Sequence, residues 1–117
     1  MLIPKYYSCL DGPTPLAGLE FVEPDIRFLI VVPSGEVSGG YDELCAYIER
    51  RPPDVERVHH VLRGNIDRDL ETIYGQVTER GRSIGSFVSV GRVSESGRLS
   101  HYQAFFHPDF GMYPPVS

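Results

Sequence analysis

From Val58 onward hydrophobicity alternates with a period of two in four successive segments: Val58–Asp67, Leu70–Glu79, Ile84–Glu95 and Leu99–His107. That period belongs to strands, whose side chains point alternately to opposite faces. The gaps between them, Asp67-Arg68-Asp69, Arg80-Gly81-Arg82 and Ser94-Glu95-Ser96-Gly97, are short and made of turn-forming residues. Half of the chain is therefore committed to a meander of long antiparallel strands, and the other half must cover one of its faces.

The first half supplies the cover. Ile3–Leu10 reads as a short helix with Pro4 in its first turn, where a missing N–H does no harm, and Asp11-Gly12-Pro13 stops it. Pro15–Phe21 reads as a second short helix with Leu16, Leu19 and Phe21 on one side, weakened by Gly18. Glu23-Pro24-Asp25 breaks it. Ile26–Val32, rich in β-branched and aromatic residues, reads as a buried strand closed by Pro33-Ser34-Gly35, and a short return segment ends at Ser38-Gly39-Gly40. Tyr41–Arg50 is the clearest helix: Leu44, Tyr47 and Ile48 fall at helical spacing, acids come first and a base last, and Arg51-Pro52-Pro53 ends it. Asp25 and Asp42 read as residues that start secondary structure. The layout is α+β, with helices over one face of a curved sheet.

Composition narrows the partners. A chain of 117 residues with 41% apolar side chains fits a single domain, 1–117, with 112–117 as an extended tail. The net charge of −5 and the scattering of eleven Lys and Arg among sixteen acids argue against a nucleic-acid partner. Cys9 and Cys45 match no disulfide framework and no zinc spacing, so both are read as reduced, buried thiols, with no metal and no cofactor. The longest apolar stretch, Phe28–Val32, is too short to span a bilayer, and the expectation is a soluble cytoplasmic protein without membrane contact.

Five stretches, taken in order, resemble a known superfamily: residues 5–12 (KYYSCLDG), 23–28 (EPDIRF), 40–47 (GYDELCAY), 58–61 (VHHV) and the final GRLSHYQAFFH. The chain resembles the SnoaL-like branch of the nuclear transport factor 2-like superfamily, which includes ketosteroid isomerase, limonene epoxide hydrolase, scytalone dehydratase and polyketide cyclases. The resemblance implies a cone-like, curved, mixed but mostly antiparallel sheet with N-terminal helices packed over its concave face. It also implies an apolar pocket between the two and homodimers formed through the sheet. Tyr6 matches the oxyanion-donating Tyr of the ketosteroid isomerases. Their two acids correspond to Ile30 and Ser89, which cannot run that proton shuttle. Limonene epoxide hydrolase resembles the chain through an Arg-x-Asp pair and a last-strand Asp, where this sequence has Arg80-Gly81-Arg82 and Ala104. Epoxide hydrolysis by that carboxylate mechanism is not expected.

Alternation and the ketosteroid-isomerase register then propose the pocket wall. On Val58–Asp67 the set Val58, His60, Leu62, Gly64 and Ile66 is more apolar than its alternate, which turns His60 inward and leaves His59 at the surface or dimer face. The family register turns Thr72, Tyr74, Gln76 and Thr78 inward, followed by Phe87, Ser89 and Gly91, then Tyr102, Ala104 and Phe106. The candidate catalytic residues are His60 and Tyr6. The candidate ligand-binding residues are Tyr74, Gln76, Phe87, Ser89, Tyr102, Ala104 and Phe106. Arg80 and Arg82 read as turn residues or as a grip for an acidic ligand at the rim, and His101 and His107 as surface groups. Two functions fit: a cofactor-independent isomerase, cyclase or dehydratase acting on a small hydrophobic carbonyl compound, or a dimeric protein that binds such a molecule without chemistry.

Overall fold

A computed structural model describes residues 1–116. Its order is helix α1 (Leu2–Leu10), a 3-10 turn (Pro15–Phe21), β1 (Val22–Val32), β2 (Gly35–Gly39), α2 (Tyr41–Glu49), a 3-10 turn (Pro53–Val55), β3 (Arg57–Asp67), β4 (Leu70–Glu79), β5 (Arg82–Val93) and β6 (Leu99–His107). The six strands form one sheet in the order β2-β1-β6-β5-β4-β3, antiparallel except where β1 runs parallel to β6. Ser117, the end of the expected tail, lies outside the described residues. Residues 112–116 carry neither helix nor strand.

The expected cone is corrected. The edge strands β2 and β3 lie at opposite ends and do not pair, so the sheet is open rather than closed or strongly curled. Bulges at Val61/Arg63, Val77/Thr78 and Arg92/Val93 bend single strands. Their effect is local: they change which face a side chain meets.

Helix α1 forms because Ile3, Tyr6, Tyr7 and Leu10 recur at i, i+3, i+4 and i+7, one apolar stripe, and all four are buried. Its free N–H groups find an acceptor on the sheet: the Glu71 carboxylate of β4 accepts from Leu2 N (2.7 Å) and Ile3 N (3.0 Å). The 3-10 turn lies against α1 differently from expectation. Leu16 is exposed and Gly18 is buried, because a Cβ at Gly18 would press on the Tyr6 ring at 3.2 Å. In β1, pairing reaches back to Val22, and the irregularity between Val22 and Arg27 accommodates Pro24, which cannot donate to a ladder. Helix α2 buries Leu44 and Ile48, and Glu43 rather than Asp42 closes its start, accepting from Gly40 N at 2.8 Å.

Both helices lie on one face of the sheet. We call it the inner face; Phe28, Ile30, Ile73, Val77, Phe87, Tyr102 and Ala104 point into it and are buried with α1 and α2.

Candidate functional site

Between α1, α2 and the inner face is a cavity of about 580 Å³, within the range that holds a drug-sized molecule. Tyr6, Phe87, Tyr102, Ala104 and Phe106, five of the residues expected inward, line it. Ser89 is fully buried on the same face. One row runs across four strands, Ile30, Ala104, Ser89 and Ile73, each the register partner of the next, and contains no ionisable group.

His60, Tyr74 and Gln76 are not in the cavity. His60 Nε2 pairs with Thr78 Oγ1 (2.9 Å) on the outer face. The Tyr74 hydroxyl accepts from Met112 N (2.7 Å). Gln76 donates to Tyr113 O and Pro114 O (3.1 Å each) and accepts from Val116 N (2.8 Å). These side chains hold the C-terminal segment against the sheet. Two physical reasons explain the correction. The bulge at Val61/Arg63 inserts a residue into β3, so Gly64 faces inward as expected while the parity before it is reversed. On β4 it is Ile73, Gly75 and Val77 that face α1, and Gly75 is needed there because a Cβ would meet the Phe87 ring at 2.6 Å.

The reversed parity delivers His59 to the cavity wall. Its imidazole stacks on Tyr7 (4.3 Å between centroids, 3° between planes), and Phe87 meets it edge-on at 5.4 Å. Nδ1 lies 3.0 and 3.2 Å from the two Asp11 oxygens, and the His59 backbone N–H donates to Asp11 Oδ2 at 2.6 Å. A carboxylate only accepts, so Nδ1 carries the proton and Nε2 presents a lone pair; Nε2 has no hydrogen-bond partner among the described residues. Asp11 also pairs with Arg51 (2.5 Å), which donates in addition to Arg57 O (2.8 Å). Burial alone would raise the Asp11 carboxyl, but hydrogen bonds from His59 and Arg51 outweigh it and hold it below the ordinary carboxylate value. Burial also lowers the His59 pKa, more than Asp11 restores it, with Arg51 and Arg57 acting in the same downward direction. The dyad at neutral pH is a neutral imidazole on an ionised carboxylate.

Three phenols, of Tyr6, Tyr7 and Tyr102, line the same cavity. Tyr7 and Tyr102 hydrogen-bond to each other through their hydroxyls. Burial pushes Tyr7 up to about 12, offset in part by its hydrogen bond to Tyr102, and burial raises Tyr102 and Tyr6 well above the ordinary phenol value. All three are O–H donors, not acids, at neutral pH. Two hydroxyls sharing one bond leave a second proton to give, and the Tyr6 hydroxyl has no partner among the described residues. The Ser89 hydroxyl is buried without a hydrogen-bond partner.

Sequence reasoning read Asp11 as a helix stop and did not see its reach to His59, 48 residues on. The visible signal was a charged residue directly after an apolar helical stripe. Cys9 and Cys45 are half-buried free thiols. Among the described residues no group of three or more His, Cys, Asp or Glu is placed to hold a metal ion, and no helix is long and apolar enough to cross a membrane.

No family model matches the chain, and no curated protein sequence matches it. Solved structures do match its fold. A candidate ketosteroid isomerase from Kribbella flavida superposes with a TM-score of 0.73 at 17% identity, over 97% of this chain and 80% of that one. A candidate isomerase of the SnoaL-like family from Agrobacterium tumefaciens gives 0.72 at 12%, over 91% and 94%. IdmH, a candidate polyketide cyclase from Streptomyces antibioticus, gives 0.73 at 14%, over 90% and 88%. The fold resembles that of the SnoaL-like, nuclear transport factor 2-like superfamily. At these identities the likeness establishes the fold alone, and what the cavity does follows only from the residues that line it.

Proposed function

We propose that this protein binds a small hydrophobic carbonyl compound in the inner cavity and moves a proton on it, as a cofactor-independent isomerase, cyclase or dehydratase. One observation carries the reading: His59 has one nitrogen fixed by Asp11 and the other free at the wall of an aromatic cavity. In this reading His59 Nε2 removes a proton from the carbon beside the carbonyl, and Asp11 stabilises the imidazolium that forms. The oxygen that gains charge receives an O–H from Tyr6 or from the Tyr7 and Tyr102 pair, whose raised pKa values keep them protonated. The imidazolium then returns the proton to another carbon, or to a departing hydroxyl. His59 takes the role that the sequence assigned to His60. The isomerase and cyclase names carried by proteins of this fold support the reaction class.

The test is exchange of the α-hydrogens of a cyclic β,γ-unsaturated ketone in deuterated buffer, followed by NMR. His59→Gln keeps an N–H for Asp11 but has no proton to shuttle, and is expected to slow exchange by about 100-fold or more. An unchanged rate would remove the catalytic reading. A second reading, binding without turnover, is favoured by the Ile30, Ala104 and Ser89 row, which lacks the acids of the catalytic relatives; ketone binding with no exchange in the unmodified protein would select it.

The wider reading is of a cytoplasmic, single-domain protein that forms a homodimer through the outer face of its sheet. The cross-strand partners Val88 and Phe105 are 41% and 46% exposed there. Phe105→Glu is expected to convert a dimer to monomer in sedimentation, whereas a wild-type monomer would end this part of the reading.

A further inference from the structure

Three arginines, Arg50, Arg51 and Arg57, are among the residues that line the cavity, and no Asp or Glu is, in a chain whose net charge is −5. Two of the three are already neutralised from behind. Arg51 pairs with Asp11 at 2.5 Å, and Arg57 with Glu79 Oε2 through Nε (2.9 Å) and Nη2 (2.6 Å). Arg50 differs. It ends helix α2, is exposed at the cavity mouth, and its side chain has no hydrogen bond or ion pair among the described residues. Its sequence neighbour Glu49 instead accepts from the Cys45 thiol. Arg80, which the sequence offered as a grip at the rim, is paired with Asp54 on an exposed turn, outside the cavity wall.

Below this mouth the walls are aromatic and aliphatic: Tyr7, Ile30, Val77, Phe87 and Phe106. The cavity is therefore polarised, with one uncompensated positive charge at its opening and apolar depth behind it. A ligand that complements both parts has a ring system for the depth and a single negative charge for the mouth. One unpaired guanidinium balances a carboxylate; a phosphate monoester brings nearly two charges and is matched less well.

We propose that the molecule taken up here is a ring-containing carboxylic acid, seated with its ring against Phe87 and Val77 and its carboxylate on Arg50. The proposal rests on the inner cavity being the binding site and adds the chemical class of what binds there. Arg50 is a specificity residue in this scheme and takes no part in the proton transfer assigned to His59. The planar guanidinium presents two parallel N–H donors, so lysine should replace it incompletely.

Calorimetric titration of the full chain with 2-naphthoate and with 2-naphthamide, which share a ring and differ in charge, tests it. The wild type is expected to bind the acid about tenfold more tightly than the amide, the discrimination that one charge-assisted contact brings. Arg50→Gln should abolish that preference by weakening the acid far more than the amide, whose carbonyl loses only a neutral acceptor's hydrogen bond. Arg50→Lys should restore part of it, and added salt should weaken the acid alone. Equal affinities for acid and amide in the wild type, or a preference that survives Arg50→Gln, would overturn the proposal while leaving the cavity as the binding site. Binding of neither probe would overturn both. His59→Gln should keep the acid preference even as it loses hydrogen exchange, which separates the two readings.

Discussion

His59 and His60 are neighbours on one strand, yet the two faces of the sheet treat them in opposite ways. On the outer face His60 is paired with Thr78, and nearby Tyr74 and Gln76 spend their hydrogen bonds on the backbone of residues 112–116. On the inner face His59 is paired on one side only, the Tyr6 hydroxyl has no partner among the described residues, and the Ser89 hydroxyl is buried without one. Polar groups that satisfy each other consolidate a surface. Polar groups with a valence to spare are costly to bury, and the inner face keeps three of them, those of His59 and Tyr6 at the cavity wall and that of Ser89 buried in the core.

The sharpest way to break this comparison is to make the same substitution on both faces. His60→Gln should leave hydrogen exchange within about twofold of wild type, against the loss of about 100-fold or more expected for His59→Gln. Equal effects of the two substitutions, measured in the same NMR assay, would mean that the chemistry is not confined to the inner face.

A second comparison stays within the inner face. Glu71, at the end of the face near the start of α1, is more deeply buried than His59, and both of its oxygens accept N–H donors, from Leu2 and Ile3. It is a cap supplied by a strand. Glu71→Ala should cost about 2 kcal/mol in denaturant unfolding, because it leaves two buried helix-terminal N–H groups unpaired, with the affinity for a cavity ligand little changed. A loss of ligand affinity larger than the loss of stability would place Glu71 in the site.

Much of this was legible in the chain. The bounds of β4 and β6 follow from alternation between turn residues, and α1 and α2 from helical spacing. Phe87, Tyr102 and Phe106 reach the cavity because β5 from Ser86 to Arg92 pairs with β6 from His101 to His107 without a shift of register. The openness of the sheet was not legible: closure depends on whether β2 and β3 meet, and no local pattern specifies that. On β3 a single extra residue at Val61/Arg63 exchanges the faces, so the more apolar set was inward for Gly64 and outward for His60. On β4 the signal was present in Ile73, Gly75 and Val77, a more apolar set than Thr72, Tyr74, Gln76 and Thr78, and the family register pointed the other way. Asp11 could be assigned only by knowing what stands across from the end of α1.

The smallest expected effect is a pH dependence of stability, and it sharpens the contrast because it reports the environment of His59 directly. The folded state lowers the His59 pKa from its ordinary value of 6.5, chiefly by burial. As pH falls below 6.5, the unfolded chain binds a proton at this residue before the folded chain does, so the unfolded state is favoured. The stability due to neutral His59 is thus complete above pH 6.5 and declines as pH drops toward the lowered folded value. Asp11, also lowered, adds a loss only below its ordinary value of 3.8, outside this window. Between pH 7 and pH 5 the thermal midpoint of the wild type should fall more than that of His59→Gln, which has no group to protonate at this position. Parallel curves for the two proteins would mean that His59 titrates alike folded and unfolded, and that the inner face does not shield it as its packing between Tyr7 and Phe87 requires.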